Sequence, residues 1–345
     1  MTLKINPFHQ LVWRTPHDLQ IGLGPQSATF TGVSQAQERL IDALFYGVPE
    51  QRLEVLGKQL RLGPDEMSAV VGGLQGLLIT DTGTDVSDLA IGEQARASFR
   101  NGKSFSEVLE RRRESAVQIA SLDATGLTLV LALAAAGVGH ILSPDNDRVT
   151  QADCATNLYP RALLGYKRFH AAKLILDSSW PGTKLHPAAR VARATPKPQL
   201  VVLTSHQVPD PAEVGRWRAA ELPVLEIRYE SDALQVSPVL DGSFGCLLCQ
   251  AHRSLDLDPD YAAIATQLLE SPLRFDDSPS RLIACGIAVD AVLDHLDGRV
   301  GDKRAWRVQR MNQTQFESSD WEPHAACSCQ LRFSFQAEVP IDSAA

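Results

Sequence analysis

Residues 117–149 read VQIASLDATGLTLVLALAAAGVGHILSPDNDRV. The spacing predicts a short strand at Val117–Ile119, a helix at Leu127–Ala136 and a second strand at His140–Leu142. A strand, a helix and a strand in this order form a β-α-β unit. Such a unit implies a parallel sheet with a right-handed crossover. We therefore expect an α/β domain around this stretch.

The turn between the first strand and the helix is where a phosphate-binding G-x-G-x-x-G would lie. The six residues here are SLDATG, so only the last glycine, Gly126, is present. Asp123 stands at the middle glycine position, where a carboxylate would repel phosphates and block close approach of the backbone. The sequence favours a plain strand-to-helix turn over a phosphate loop. Asp123 could instead cap the helix.

Elements of both types continue to alternate toward the C-terminus, as a parallel sheet requires. The predicted helices are 166–176, 211–220, 258–269 and 279–296, and the predicted strands are 200–203, 224–228 and a terminal pair within 305–317.

The N-terminal part has a different order of elements. Short strands are predicted at 11–13, 19–22 and 28–30, followed by helices at about 34–45, 49–60 and 64–74 and a strand at 77–79. Ser34 with Gln37 three residues later forms a capping-box pattern at the first helix. This order predicts a small winged-helix-like α+β domain of about 80 residues.

These patterns predict four segments. The winged-helix-like domain covers 1–82, a linker covers 83–114, the α/β domain covers 115–335 and a tail covers 336–345. Polar, turn-forming residues at Thr82–Asp85 and Ser87 mark the start of the linker, and a short helix fits 104–112.

Four of the six cysteines lie in two close pairs. Cys246 and Cys249 form a C-x-x-C, and Cys327 and Cys329 form a C-x-C. Two such pairs can complete a tetrahedral Zn²⁺ site, and four thiolates leave no open position for water. The spacing therefore favours a structural zinc ion over a reducible disulfide, free thiols or a redox motif. Unpaired Cys154 and Cys285 are expected in the core.

Composition narrows the class of protein. The 345 residues carry a net charge of −8, with 44% hydrophobic and 21% charged residues, which is typical of a globular protein of two or three units. The acidic balance argues against general binding to nucleic acid or membrane surfaces. The longest apolar run is too short to span a bilayer, and no signal peptide is recognised. We expect a soluble, cytoplasmic protein.

Residues 117–149 resemble the E1-like superfamily of ThiF and MoeB type, which activates the C-termini of ubiquitin-like proteins. Ala136–Gly139 matches its A-G-V-G, Asp145–Val149 matches its D-x-D-x-V, and the cysteine pairs resemble its structural zinc site. Residues 238–261, with Trp321 and Pro323-His324 before the second cysteine pair, resemble a narrower branch. That branch contains the E1-like partner proteins of azole-forming peptide cyclodehydratases.

The resemblance implies a Rossmann-like domain with zinc, preceded by a winged helix that binds the leader of a ribosomally made precursor peptide. It also implies a cyclodehydratase-type partner and a homodimer. Asp145, Asp147 and Gly126 correspond to a vestigial nucleotide site.

Three departures at that site predict that the fold persists without ATP-driven adenylation. The phosphate-loop glycines are replaced by Ser121 and Asp123, and residues 153–157 replace the N-L-x-R-Q motif. The magnesium-binding aspartate expected after the next buried strand is absent, because Thr204-Ser205-His206 stands there.

Two functions follow as hypotheses. The first is a scaffold that binds a peptide by strand addition and presents it to a modifying enzyme. Its candidate docking residues are Trp13, Leu19, Ile21 and residues near Val70 and Leu74, although for each of them a place in the core is favoured. The second is an active ATP-dependent adenylyltransferase with a diverged loop. A DNA-binding winged helix is disfavoured, because residues 64–75 contain no basic recognition helix.

Overall fold

The structure is a computed structural model that describes residues 2–25, 27–81, 90–188, 196–242, 245–299, 303–309 and 314–329. The chain divides into two compact units, residues 1–111 and residues 112–345. The predicted linker start, Thr82–Asp85 and Ser87, lies outside the described residues, as does the predicted tail 336–345. Within the described part, no helix combines the length and apolarity that a membrane crossing needs.

The first unit contains six strands and four complete helices among its described residues, and α5 crosses the division between the units. The strands are β1 (Thr2–Ile5), β2 (Leu11–Thr15), β3 (Asp18–Ile21), β4 (Ala28–Phe30), β5 (Val48–Pro49) and β6 (Leu78–Asp81). The helices are α1 (Gln35–Tyr46), α2 (Leu53–Leu60), α3 (Pro64–Gly73), α4 (Ile91–Asn101) and α5 (Phe105–Glu114).

Two three-stranded sheets form in this unit, in the orders β2-β3-β4 and β5-β1-β6. All of their strand pairs are antiparallel. The predicted capping box at α1 is confirmed, because the Ser34 side chain accepts from Gln37 N–H while the Gln37 side chain accepts from Ser34 N–H. Leu40, Ile41 and Leu44 then point one face of α1 into the core.

The second unit alternates strands and helices. Its strands are β7 (Ala116–Ile119), β8 (His140–Ser143), β9 (Lys184–Pro187), β10 (Leu200–His206), β11 (Val224–Tyr229), β12 (Ala233–Val236), β13 (Arg304–Gln309) and β14 (Gln315–Asp320). Its helices are α6 (Ala124–Ala135), α7 (Gln151–Ala155), α8 (Arg168–Ser179), α9 (Pro211–Ala219), α10 (Leu247–Leu257), α11 (Tyr261–Leu269) and α12 (Ser278–Leu296).

One eight-stranded sheet organises the second unit, in the order β14-β13-β12-β11-β10-β7-β8-β9. The five strands from β11 to β9 are parallel, and the other three extend the sheet in antiparallel fashion. The predicted parallel-rich α/β sheet is thus confirmed. Helix α6 is buried over most of its length, which explains why its sequence is apolar on every side.

A buried ion pair and a close backbone contact fix the start of this unit. Arg112 Nε and Nη2 donate to the two carboxylate oxygens of Asp297 at 2.8 and 2.7 Å, with both side chains 1% exposed. A Cβ on Gly139 would lie 1.8 Å from the carbonyl oxygen of Arg113. The last glycine of the A-G-V-G stretch is therefore required by packing.

Candidate functional site

A cavity of about 770 Å³ opens at the carboxyl ends of β7 and β10. These neighbouring parallel strands are continued by β8 on one side and by β11 on the other. This is a topological switch point, the place where open α/β sheets bind ligands. The cavity walls come from the β7–α6 turn, α7, the start of α8, the end of β10, the start of α9 and the segment before α12.

The β7–α6 turn is held by its own side chains. Asp123 is the N-cap of α6, and its Oδ1 accepts from Gly126 N–H at 3.0 Å, so the predicted capping role is confirmed. A Cβ on Gly126 would lie 1.8 Å from the carbonyl oxygen of Ser121. Gly126 therefore serves close packing within the turn, which is what the third glycine of a G-x-G-x-x-G also does.

Asp145 lies across this turn, and its side chain is 4% exposed. Its Oδ2 accepts from Leu122 N–H at 2.6 Å, and its Oδ1 accepts from Asp147 N–H at 2.8 Å. The hydroxyl of Tyr159 donates to the Leu122 carbonyl at 2.6 Å. Both polar backbone groups of Leu122 are therefore satisfied inside the protein. A phosphate at this turn would have to compete with the buried carboxylate for that N–H.

Arg168, the first residue of α8, is a site residue that the sequence analysis missed. Its Nη2 donates to Asp153 Oδ2 at 2.9 Å, and its Nη1 lies 3.8 Å from Asp145 Oδ2 and 3.6 Å from Asp147 Oδ2. Asp153 is 5% exposed, whereas the Asp147 side chain is 81% exposed. One guanidinium is thus shared among three carboxylates. No local pattern marks Arg168, because its partners come from 15 to 23 positions earlier in the chain.

His206 ends β10, the strand that a magnesium-binding aspartate follows in adenylating E1-like enzymes according to the resemblance. Its Nδ1 accepts from Phe275 N–H at 3.4 Å, and its ring stacks on Tyr229 at a centroid distance of 5.6 Å. Burial lowers the pKa of His206 to about 4, so the imidazole is neutral near pH 7. Burial, together with the charge of Asp123, raises the pKa of Asp276 on the same cavity.

The four paired cysteines come together, with all four Sγ atoms within 4.8 Å of one another. The Sγ of Cys246 lies 3.9 Å from that of Cys249 and 3.6 Å from that of Cys327, and Cys249 lies 3.4 Å from Cys329. A tetrahedral ion with ~2.3 Å Zn–S bonds sets its sulfurs ~3.8 Å apart. The distances exclude a disulfide, whose sulfurs are ~2.05 Å apart. The arrangement therefore fits a metal ion.

The surroundings of the cluster agree with a closed metal centre. Burial raises the pKa of the Cys246 thiol to about 11, so without a metal ion this thiol stays protonated at neutral pH. His324 is engaged elsewhere, since its Nε2 lies 2.7 Å from Asp256 Oδ2. The described residues contain no second group of three or more metal-ligating side chains this close together.

The proposed peptide-docking residues in the first unit require correction. Leu19, Ile21 and Leu74 are fully buried and Val70 is 1% exposed, so these four are core residues and do not form a docking surface. Alternation in β3 and the 3–4 spacing in α3 direct them inward. Trp13 remains, with 45% of its surface exposed on β2.

No family model matches the sequence, and no curated protein matches it. Solved structures do resemble its fold. E. coli MccB superposes with a TM-score of 0.71 at 14% identity, over 95% of this chain and 97% of that one. E. coli MccB with ATP gives 0.69 at 14% identity, over 95% and 99%. SeMet PaaA superposes with a TM-score of 0.56 at 17% identity, over 74% of this chain and 91% of that one. The chain thus shares the fold of E. coli MccB over nearly its whole length, which agrees with the E1-like resemblance of the sequence.

Proposed function

We propose that the chain is an E1-like scaffold that binds a ribosomal precursor peptide through its leader and presents it to a partner modifying enzyme, without adenylating anything itself. The absence of adenylation is supported mainly by the hydrogen bond that Leu122 N–H donates to Asp145. A cyclodehydratase-type partner and a homodimer belong to the same proposal, as do the domain boundaries 1–82, 83–114 and 115–335.

Loss of adenylation is supported by the charges at the cleft. Asp145 occupies the turn that would face phosphates, Asp123 replaces a glycine there, and Arg168 is already shared among carboxylates. Transfer of an adenylyl group needs cations and free amide donors around the phosphates. The cleft has a surplus of anions instead. Asp147 and Gly126 are therefore remnants of a nucleotide site.

Peptide binding is supported by an open strand edge in the first unit. Within the described residues, β4 pairs only with β3, so its other edge is free for an added strand. Helix α3 lies beside it, because a Cβ on Gly73 would touch the Phe30 ring at 2.9 Å. An extended peptide could pair with β4 and place alternate side chains against α3, as in strand addition. The Microcin C7 biosynthetic enzyme MccB has been solved in complex with N-formylated MccA.

The cysteine cluster is assigned to structural zinc within this proposal. Four thiols leave no coordination position for a substrate or a water molecule. The ion would tie Cys327 and Cys329 to the start of α10. A cytoplasmic location suits four free thiols, because such compartments keep thiols reduced.

Peptide titration of the full-length protein tests the proposal. Labelled precursor peptides encoded near the gene are expected to bind with a Kd below ~100 μM. Ala69 is exposed one helical turn before Gly73, so Ala69→Trp should obstruct the groove and weaken binding at least ~10-fold. Ser68→Trp, on a different face of α3, is the matched control and should bind normally. Equal binding by both variants would remove the groove from the proposal.

The alternative is an active adenylyltransferase, and one observation favours it. The cavity at the switch point has kept a volume of about 770 Å³, and E. coli MccB has been solved with ATP at a TM-score of 0.69 to this chain. Calorimetry with ATP and Mg²⁺ separates the two functions. ATP binding with a Kd below ~1 mM, or release of pyrophosphate with a precursor peptide, would favour the adenylyltransferase over the scaffold.

A further inference from the structure

The switch-point cavity is strongly acidic. Six carboxylates line it against two guanidiniums, those of Arg168 and Arg274. The carboxylates belong to Asp123, Asp147, Asp153, Asp210, Glu213 and Asp276. Arg168 is already engaged by Asp153 and lies near Asp145 and Asp147. Glu213 is paired with Arg216, whose Nη1 lies 2.7 Å from its Oε1. Asp123, Asp210 and Asp276 therefore face one remaining cation on the wall, that of Arg274. We infer that this cavity accepts a basic side chain of a peptide, a lysine ammonium or an arginine guanidinium, in place of a nucleotide.

The two walls nearest His206 have an unbalanced charge. Asp123 stands at the start of α6 and Asp276 stands just before α12. Burial raises the pKa of Asp276, and the negative charge of Asp123 raises it further. Only one oxygen of Asp123 is used by the helix cap. An ammonium entering between these walls would relieve the repulsion. A phosphate would increase it.

Ser205 provides a second, independent observation. It is 8% exposed, it lines the cavity at the end of β10, and its hydroxyl makes no hydrogen bond to any described residue. Its oxygen is accessible from the cavity, so it is free to hydrogen-bond with a group that enters. Its oxygen is an acceptor, as are the carboxylates around it. An ammonium carries three donors and no acceptor, so it complements such a wall.

A bare metal ion fits the cavity less well. In the part of the chain that the structure describes, no three carboxylates of this wall converge within the distance found for the cysteine cluster. The cavity volume of about 770 Å³ also suits an extended side chain with flanking backbone better than one ion. The occupant is therefore an organic cation carried by a chain.

This inference extends the proposed peptide binding but uses a different site from the β4 groove. Its probe is the peptide acetyl-Gly-Lys-Gly-Lys-Gly-amide, titrated into the full-length protein by calorimetry at low salt. The glutamine analogue of the peptide is the neutral control. The lysine peptide is expected to bind, more weakly as salt is added, and the glutamine peptide is expected not to bind.

Charge-neutralised variants locate the binding. Asp123→Asn/Asp276→Asn keeps the helix cap, because asparagine caps as well as aspartate, and should weaken lysine-peptide binding at least ~10-fold. Asp210→Asn removes one carboxylate at the start of α9, keeps the cap of that helix and should weaken binding ~3-fold. The matched control Asp177→Asn/Glu317→Gln removes two exposed carboxylates elsewhere in this unit and should bind as the wild type does.

Three outcomes would overturn the inference. They are no binding of the lysine peptide, equal binding of the glutamine peptide, or equal loss in the control double variant. The Ala69→Trp variant separates this result from the groove proposal. If the lysine peptide fails while a precursor peptide still binds the wild type and not Ala69→Trp, only the acidic cavity is refuted.

Discussion

The Asp145 carboxylate accepts a hydrogen bond from Leu122 N–H at 2.6 Å, and the same side chain is 4% exposed. A side chain that the resemblance assigns to a nucleotide site thus closes the turn that would hold the phosphates. The bond joins the end of β8 to the β7–α6 turn, 23 positions earlier in the chain. This contact stabilises the turn in the absence of any ligand.

Asp145→Asn is therefore expected to destabilise the protein. The asparagine amide presents only one acceptor oxygen where the carboxylate uses two, and Arg168 loses a nearby anion. We expect a loss of about 1–3 kcal/mol in the free energy of unfolding, measured by urea denaturation. Asp147→Asn is the control, because its side chain is 81% exposed, and it should change stability by less than ~0.5 kcal/mol. Equal stability of the two variants would mean that the buried contacts contribute nothing.

Gly126→Ala tests the packing of the turn. The new Cβ would lie 1.8 Å from the Ser121 carbonyl oxygen, so the backbone must move. We expect a loss of about 3 kcal/mol or more, or failure to fold. Gly286→Ala is the matched control, since it also lies inside a helix but has no atom within 4 Å of its added Cβ. Alanine there should be neutral or stabilising by up to about 1 kcal/mol. Similar thermal unfolding of both variants would contradict the predicted clash.

Local sequence patterns predicted much of the fold. The capping box at Ser34 and the β-α-β unit that ends at β8 are confirmed, because each depends on residues close together in the chain. Strands β9 and β12 were missed, since neither KLHP nor ALQV is a continuous apolar run and each acquires its strand character from neighbours in the sheet. Helix α10 was missed too, because it begins directly after a cysteine that was interpreted only as a ligand.

The candidate sites also differ in whether they depend on residues close together in the chain or on distant segments. The spacing of the cysteine pairs predicts a metal site, and the structure brings their sulfurs together. Arg168 and the Asp145 contact to Leu122 could not be predicted, because they depend on how distant segments meet at the sheet edge. Leu19 and Ile21 lie in the core, which was the favoured interpretation for each, so neither belongs to a docking surface.

Cys249→Ser should release the metal ion and lower stability. Metal analysis of the purified wild type is expected to give about one zinc per chain, and the variant close to none. Because burial raises the pKa of Cys246 to about 11, zinc uptake at neutral pH should release protons, which calorimetry in two buffers measures. Cys285→Ser is the matched control, because that buried thiol lies outside the cluster, and it should retain zinc. A wild type without zinc or any other metal would refute the site.

His206 makes stability depend on pH in a defined window. Its pKa is about 4 in the folded state because the ring is buried, against ~6.5 when unfolded. Between pH ~6.5 and pH ~4 the His206 imidazole is protonated in the unfolded chain but neutral in the folded chain. Stability therefore falls as the pH is lowered through this window. With solvent screening considered, His206 should account for about 1 kcal/mol of the loss between pH 7 and pH 5. Urea denaturation followed by tryptophan fluorescence at both values measures it.

His206→Gln removes the imidazole. The free energy of unfolding should then differ less between pH 7 and pH 5, by the ~1 kcal/mol assigned to His206. His170→Gln is the matched control, since His170 is exposed in the same unit, and it should keep the wild-type difference. The same pH dependence in His206→Gln and the wild type would mean that the ring is protonated in the folded cavity. The imidazolium would then add a positive charge to the wall, and the wild type would bind the lysine peptide more weakly at pH 5 than at pH 7.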